Sequence, residues 1–86
     1  MVNPFLGKIY QYTVVIEPAE EGGYVVSVPA LPGCVTQGEN LEEAMAMAKD
    51  AIEGYLSVLK EEGENIPTEP KGTFITQISI PERELA

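Results

Sequence analysis

The chain predicts an α+β fold in the order β-β-β-α-β, a mostly antiparallel four-stranded sheet with one long helix on one face. Three observations lead there: apolar residues alternate at period two before residue 29 and again after residue 72, apolar residues between 41 and 59 recur at three- and four-residue spacing, and glycine and proline fall between these stretches. With 86 residues, 44% of them hydrophobic, the chain reads as a single domain, 1–86. A core this small buries only roughly 60% of the unfolded surface and calls for a disulfide, a metal or a partner.

Residues 9–17 place Tyr10, Tyr12, Val14 and Ile16 on one face and Gln11, Thr13 and Glu17 on the other, which predicts a half-buried strand. Pro18 to Gly23 read as a hairpin loop, and Tyr24, Val26 and Val28 then alternate with Val25 and Ser27 as a second, antiparallel strand. Pro29-Ala30-Leu31-Pro32-Gly33 interrupts that ladder, since proline has no amide to donate and Pro-Gly suits the centre of a type II turn. Cys34 to Gln37 form a short third strand. Asn40 is a good N-cap, and Glu43 three residues on can reach back to its amide.

Leu41, Ala44, Met45, Ala48, Ala51, Ile52, Tyr55, Leu56 and Leu59 then make the apolar face of a helix that Gly63 ends as a left-handed cap. At about 33 Å it is longer than a seven-residue strand, about 23 Å, and overhangs the sheet. After a linker with Pro67 and Pro70, residues 73–80 alternate Phe74, Thr76, Ile78 and Ile80 against Thr73, Ile75, Gln77 and Ser79. This last strand is expected beside the first and parallel to it.

Two surfaces are left for self-association as a dimer or tetramer. One is the outer sheet face with Val15, Val25 and Ile75; the other is the helix flank with Met47, Gly54 and Val58. Gly54 costs about 1 kcal/mol in mid-helix relative to alanine, so either a partner packs there or the glycine admits a bulky side chain of the sheet.

Function classes fall away one by one. Fourteen acidic residues against five basic give a net charge of -9, which disfavours direct nucleic-acid binding. No stretch has the length of a membrane span, and Met1 to Leu6 lack the pattern of a signal peptide, so the chain is expected in the cytoplasm. Histidine is absent, and the single cysteine, Cys34, has no cationic neighbour in sequence to activate it and is expected to be structural. The strand interiors hold no carboxylates for a metal-dependent nuclease, and the glycines form no phosphate-binding motif. No enzyme, metal or cofactor is expected. Glu39, Glu42 and Glu43 suit a helix N-terminus, whereas Glu61, Glu62 and Glu64 oppose the dipole at the other end, where a solvated surface and a site for a basic partner are both possible.

The run Gly23-Tyr24-Val25-Val26-Ser27-Val28-Pro29-Ala30-Leu31-Pro32-Gly33-Cys34, followed by Gly38, by Leu41-Glu42-Glu43-Ala44 and by Ala48 and Ala51, resembles the HicB antitoxin family. The resemblance implies a partial RNase H-like fold without nuclease carboxylates, and an inhibitor of HicA-type toxins, small basic proteins that cleave messenger RNA. Many relatives carry a further C-terminal DNA-binding segment, for which the six residues after Ile80 are too few. The expected function is therefore capture of a basic HicA-type toxin and occlusion of its RNA site. The alternatives are a transcriptional regulator acting on DNA only within a toxin complex, and an interaction domain without a toxin. Tyr24, Leu31 and Pro32, with Glu61, Glu62 and Glu64 as an acidic rim, are the expected partner contacts.

Overall fold

A computed structural model describes residues 7–86. Met1 to Leu6, where the sequence showed no signal-peptide pattern, lie outside the described residues. Three strands, β1 (Val15–Pro18), β2 (Tyr24–Ser27) and β3 (Val35–Gly38), precede the helix α1 (Leu41–Glu61), and a single 3-10 turn follows at Glu82–Glu84. The sheet is antiparallel in the order β1-β2-β3. Ile16 faces Val26 and Val26 faces Thr36, so the even-numbered residues of β1 and β2 form the inner face, as their alternation required.

Local signals set the ends of these elements. In the hairpin, the Ala19 amide donates to the Gly23 carbonyl at 2.9 Å, and Gly22 and Gly23 have φ of 100° and 73°. Between β2 and β3, the Cys34 amide donates to the Leu31 carbonyl at 2.9 Å with Gly33 at φ 81°, the expected type II turn. Asn40 Oδ1 accepts from the Glu43 amide at 2.8 Å, while the Glu43 carboxylate returns to the Glu39 amide at 3.0 Å, one residue before the expected partner. At the far end, the Glu64 amide donates to Leu59 and the Gly63 amide to Lys60, a Schellman closure around Gly63 at φ 70°.

The core has two adjoining parts. Val26, Ala44 and Ala48 are buried together, with Val14, Ile16 and Tyr24 packed against them. Val28, Leu31 and Cys34 form the second, flanked by Tyr12, Val14, Ala51, Ile52, Tyr55 and Leu56. The helix lies chiefly over β3 and then β2. Only alanines are fully buried on it, because the strand beneath comes so close. Gly38 is the reason: a Cβ there would fall 2.6 Å from the Ala44 Cα and 2.9 Å from the Glu43 carbonyl carbon.

The fourth strand does not form. Among the described residues, 73–80 pair with no strand and are exposed throughout, so the sheet described has three strands and no parallel pair. The expected first strand also contracts, from 9–17 to Val15–Pro18, since β2 offers partners only that far. With no fourth strand beneath it, the helix leaves Leu41 and Met45 exposed although both lie on its apolar stripe.

The Gly54 flank is likewise open. Nothing lies within 4 Å of a Cβ built there, so no sheet side chain fills the space. Gly54→Ala is expected to raise the stability of the isolated chain by about 1 kcal/mol, measured by urea denaturation, because alanine restricts the unfolded chain and favours the helix. A loss of stability instead would mean that a second molecule occupies the flank.

Candidate functional site

The exposed surface divides into three parts with different chemistry. The outer sheet face carries Val15, Val25 and Val35, but the strand register sets Ser27 between Val15 and Val35 and places Val25 between Glu17 and Gln37. Ile75 does not join Val15 and Val25 in a sheet patch, because its segment is not a strand. The apolar patch expected on this face is therefore broken by polar neighbours. On the helix flank, Met47 and Val58 are exposed alongside Gly54, a ridge rather than a cleft.

The second part is the C-terminal end of α1. Glu61, Glu62 and Glu64 are all exposed around the Gly63 closure, with Lys60 as the basic residue of the last turn. They crowd negative charge at the negative end of the helix dipole, so each would gain from a nearby cation. Pro32 is exposed at the apex of its turn, and Tyr55 holds that turn to the helix by donating its hydroxyl to the Pro32 carbonyl at 2.8 Å. Glu62 follows Tyr55 by two helical turns on the same stripe, about 11 Å along the axis. One partner can therefore touch the Pro32 turn and the acidic end together.

The other two expected contacts do not join them. Leu31 has 0% exposure and fills the core, because its own turn folds it inward between Val28 and Cys34. Tyr24 is half-buried against Val26, Ala44 and Ala48, near the start of the helix. Ala44 and Glu62 are separated by about 27 Å of helix, so Tyr24 lies at the opposite end from the acidic rim.

The third part is an apolar groove of about 550 Å³ between β1 and the helix, lined by Tyr12, Val14, Ile16, Met45, Ile52 and Leu56 among others. Sequence reasoning assigned this space to the fourth strand and so did not recognise it as a surface. Next to it, Glu69 of the linker accepts from the Thr13 amide at 2.7 Å and from Thr13 Oγ1 at 2.9 Å, and Tyr12 donates its hydroxyl to the Pro67 carbonyl at 2.5 Å. No sequence pattern announced this clamp, which joins positions 56 residues apart.

Among the described residues there is no group of three or more metal-binding side chains, and no helix is long and apolar enough to cross a membrane. Cys34 is buried, and burial pushes its thiol above the ordinary value of 9.0. Tyr12 is raised from 10.0 as well, first by burial and then by Tyr10 and the Glu69 carboxylate. Both groups hold their protons to higher pH when folded than when unfolded. Their contribution to stability is thus complete below the unfolded values and is lost as pH rises through the folded ones. Urea midpoints should be level well below pH 9.0, begin to fall above it and fall further above pH 10.0, and Cys34→Ala should flatten the first part of that fall. A midpoint that rises over this range would contradict the burial of both groups.

Comparison with known proteins adds a second line of observation. The family described as HicB-like antitoxin of bacterial toxin-antitoxin system matches residues 12–82. A UPF0150 protein of Thermoplasma acidophilum is 53% identical over 57 residues, covering 66% of this chain and 83% of that protein. Antitoxin HicB 1 of Photorhabdus laumondii is 46% identical over 63 residues, 73% of this chain and 41% of the antitoxin. Antitoxin HicB of Escherichia coli K12 is 46% identical over 57 residues, 66% of this chain and again 41% of the antitoxin. The chain thus spans most of the UPF0150 protein and less than half of either named antitoxin.

Proposed function

The chain belongs to the HicB-like antitoxin family of bacterial toxin-antitoxin systems, and from that membership we propose that it binds a small basic HicA-type toxin and blocks the toxin's RNA site by covering it. Its role is regulatory, and the work is done by surface complementarity rather than by chemistry on a substrate. The observation that carries the reading to particular residues is the exposed acidic end of α1, Glu61, Glu62 and Glu64, with the braced Pro32 turn two helical turns away on the same stripe. A toxin that holds RNA phosphates presents lysine and arginine, and a carboxylate cluster competes for the same cations.

Tyr24 contributes mainly by packing, and Leu31 by setting the turn that displays Pro32. The net charge of -9 draws a basic partner from a distance and keeps this chain off nucleic acid when it acts alone. The surfaces at Val15 and Val25 and at Met47, Gly54 and Val58 stay uncovered by the toxin in this arrangement.

Glu61→Lys combined with Glu62→Lys should slow association with the toxin about tenfold at low salt and by less as salt rises, read by stopped-flow or surface capture against a catalytically inactive toxin. Both side chains are exposed, so the helix signal in circular dichroism should not change. An unaltered association rate would remove the acidic end from the interface.

A further inference from the structure

The chain carries an apolar segment with the sequence of a strand but no sheet to join, and a sheet without the last strand its sequence predicts. Residues 73–80 are eight uncharged residues, with Phe74, Ile78 and Ile80 on one face at 83%, 81% and 61% exposure and Ile75 on the other at 65%. Beside β1 the groove stays open, and neither Phe74 nor Ile78 lines it. Among the described residues β1 pairs with β2 alone, which leaves its other edge with backbone donors and acceptors to offer.

The shape of the molecule agrees. Its extents are 55 × 31 × 30 Å and its radius of gyration is 16.8 Å, against about 12 Å for a compact chain of this length. Eight extended residues span about 26 Å, which accounts for the long axis. The arm leaves the body at a fixed place, because Glu69 is bonded to Thr13 and a turn follows in which Thr73 Oγ1 donates to the Pro70 carbonyl at 3.0 Å and Gly72 has φ 81°.

We propose that residues 73–80 of one copy add as a fourth strand to the free β1 edge of a second copy, with Phe74, Ile78 and Ile80 in its groove, and that the exchange is reciprocal. The occupant is a second copy of this chain because only an uncharged apolar strand suits the site. The groove holds one lysine and one glutamate, Lys49 and Glu53, whose charges balance, and the arm has none. Two molecules of net charge -9 therefore meet through their neutral parts. A two-fold exchange fills both grooves and leaves neither arm exposed. The broken outer sheet face and the acidic end of α1 remain on the surface. The exchange requires no toxin.

Sedimentation equilibrium of the full chain at micromolar concentration should give a dimer. Phe74→Ser with Ile78→Ser should halve the mass without loss of the helix signal, since those side chains support nothing within their own chain, whereas Val25→Asp on the outer sheet face should remain dimeric. A monomeric wild type, or a double variant that stays dimeric, overturns the proposal. Hydrogen exchange on the wild type gives a readout that does not depend on how the variants fold. Amides of 73–80 should be protected in the dimer and lose that protection on dilution. Protection that persists in the monomer would mean that the arm closes on its own chain, and protection that appears only with an added basic toxin would mean that the toxin is the occupant; both overturn the exchange.

Discussion

Replacing Gly38 by alanine should lower stability by about 2–3 kcal/mol, although the change adds one methyl group at a strand end. The added carbon would meet the backbone of the Glu43–Ala44 peptide link in the first helical turn, at 2.6 Å from the Ala44 Cα and 2.9 Å from the Glu43 carbonyl carbon. Side chains can rotate out of such a contact, but backbone cannot. Relief requires α1 to lift from β3, which opens the cluster of Val26, Ala44 and Ala48. Gly23 is held in the same way, since a Cβ there would lie 2.7 Å from the Gly38 carbonyl oxygen and φ is 73°. In a domain of this size the Gly38 change corresponds to a fall in Tm of roughly 10 to 20 °C, readable by thermal denaturation at 222 nm. A fall of only a degree or two would show that the helix does not sit as close to β3 as described.

Leu31→Ala should have an effect of similar size by the opposite route, the loss of volume from a filled core. Leu31 is completely buried with Val28 and Cys34, and Ile52, Tyr55 and Leu56 of the helix pack against that group. Truncation of such a leucine typically destabilises by about 2–5 kcal/mol. The neighbouring Pro32→Ala should change stability much less, because Pro32 is exposed and its carbonyl still accepts from Tyr55. Urea denaturation of the two variants separates the roles. A small effect at Leu31 would reinstate it as a surface contact, whereas a large one leaves the display of the turn as its only link to binding.

This pair shows why neighbouring residues of one motif were not separable beforehand. Leu31 and Pro32 stand together in a turn whose type follows from proline at its second position and glycine at its third, and that geometry depends on four residues alone. Which of them points inward depends on where the helix lies above the turn, and the helix begins ten residues after Leu31. The caps at Asn40 and Gly63 were legible for the same local reason. Each satisfies backbone groups within one turn of itself, so its partners are close in sequence. Gly38 gave no comparable signal, because the atoms that exclude its Cβ belong to the packing of β3 under α1.

Residues 73–80 mark the limit most plainly. Their alternation identifies a segment suited to a sheet, and the pattern is as clear as that of residues 9–17. Pairing needs a free edge as well as a pattern, and the edge is β1, nearly sixty residues earlier in the chain. Between them the Glu69 clamp and the turn before Thr73 decide which way the segment leaves.

The acidic charge, the order of the apolar patterns, the two turns and the limits of the helix are properties of residues and their near neighbours, and the amino-acid order alone determines them. Whether the last strand joins its own sheet, whether Leu31 is core or surface, and whether Tyr24 shares a face with the glutamates depend on positions and directions that exist only once the helix has settled over β3. The reason is the range of the forces: caps and turns close over a few bonds, whereas burial and strand pairing are set by whatever the folded chain brings alongside.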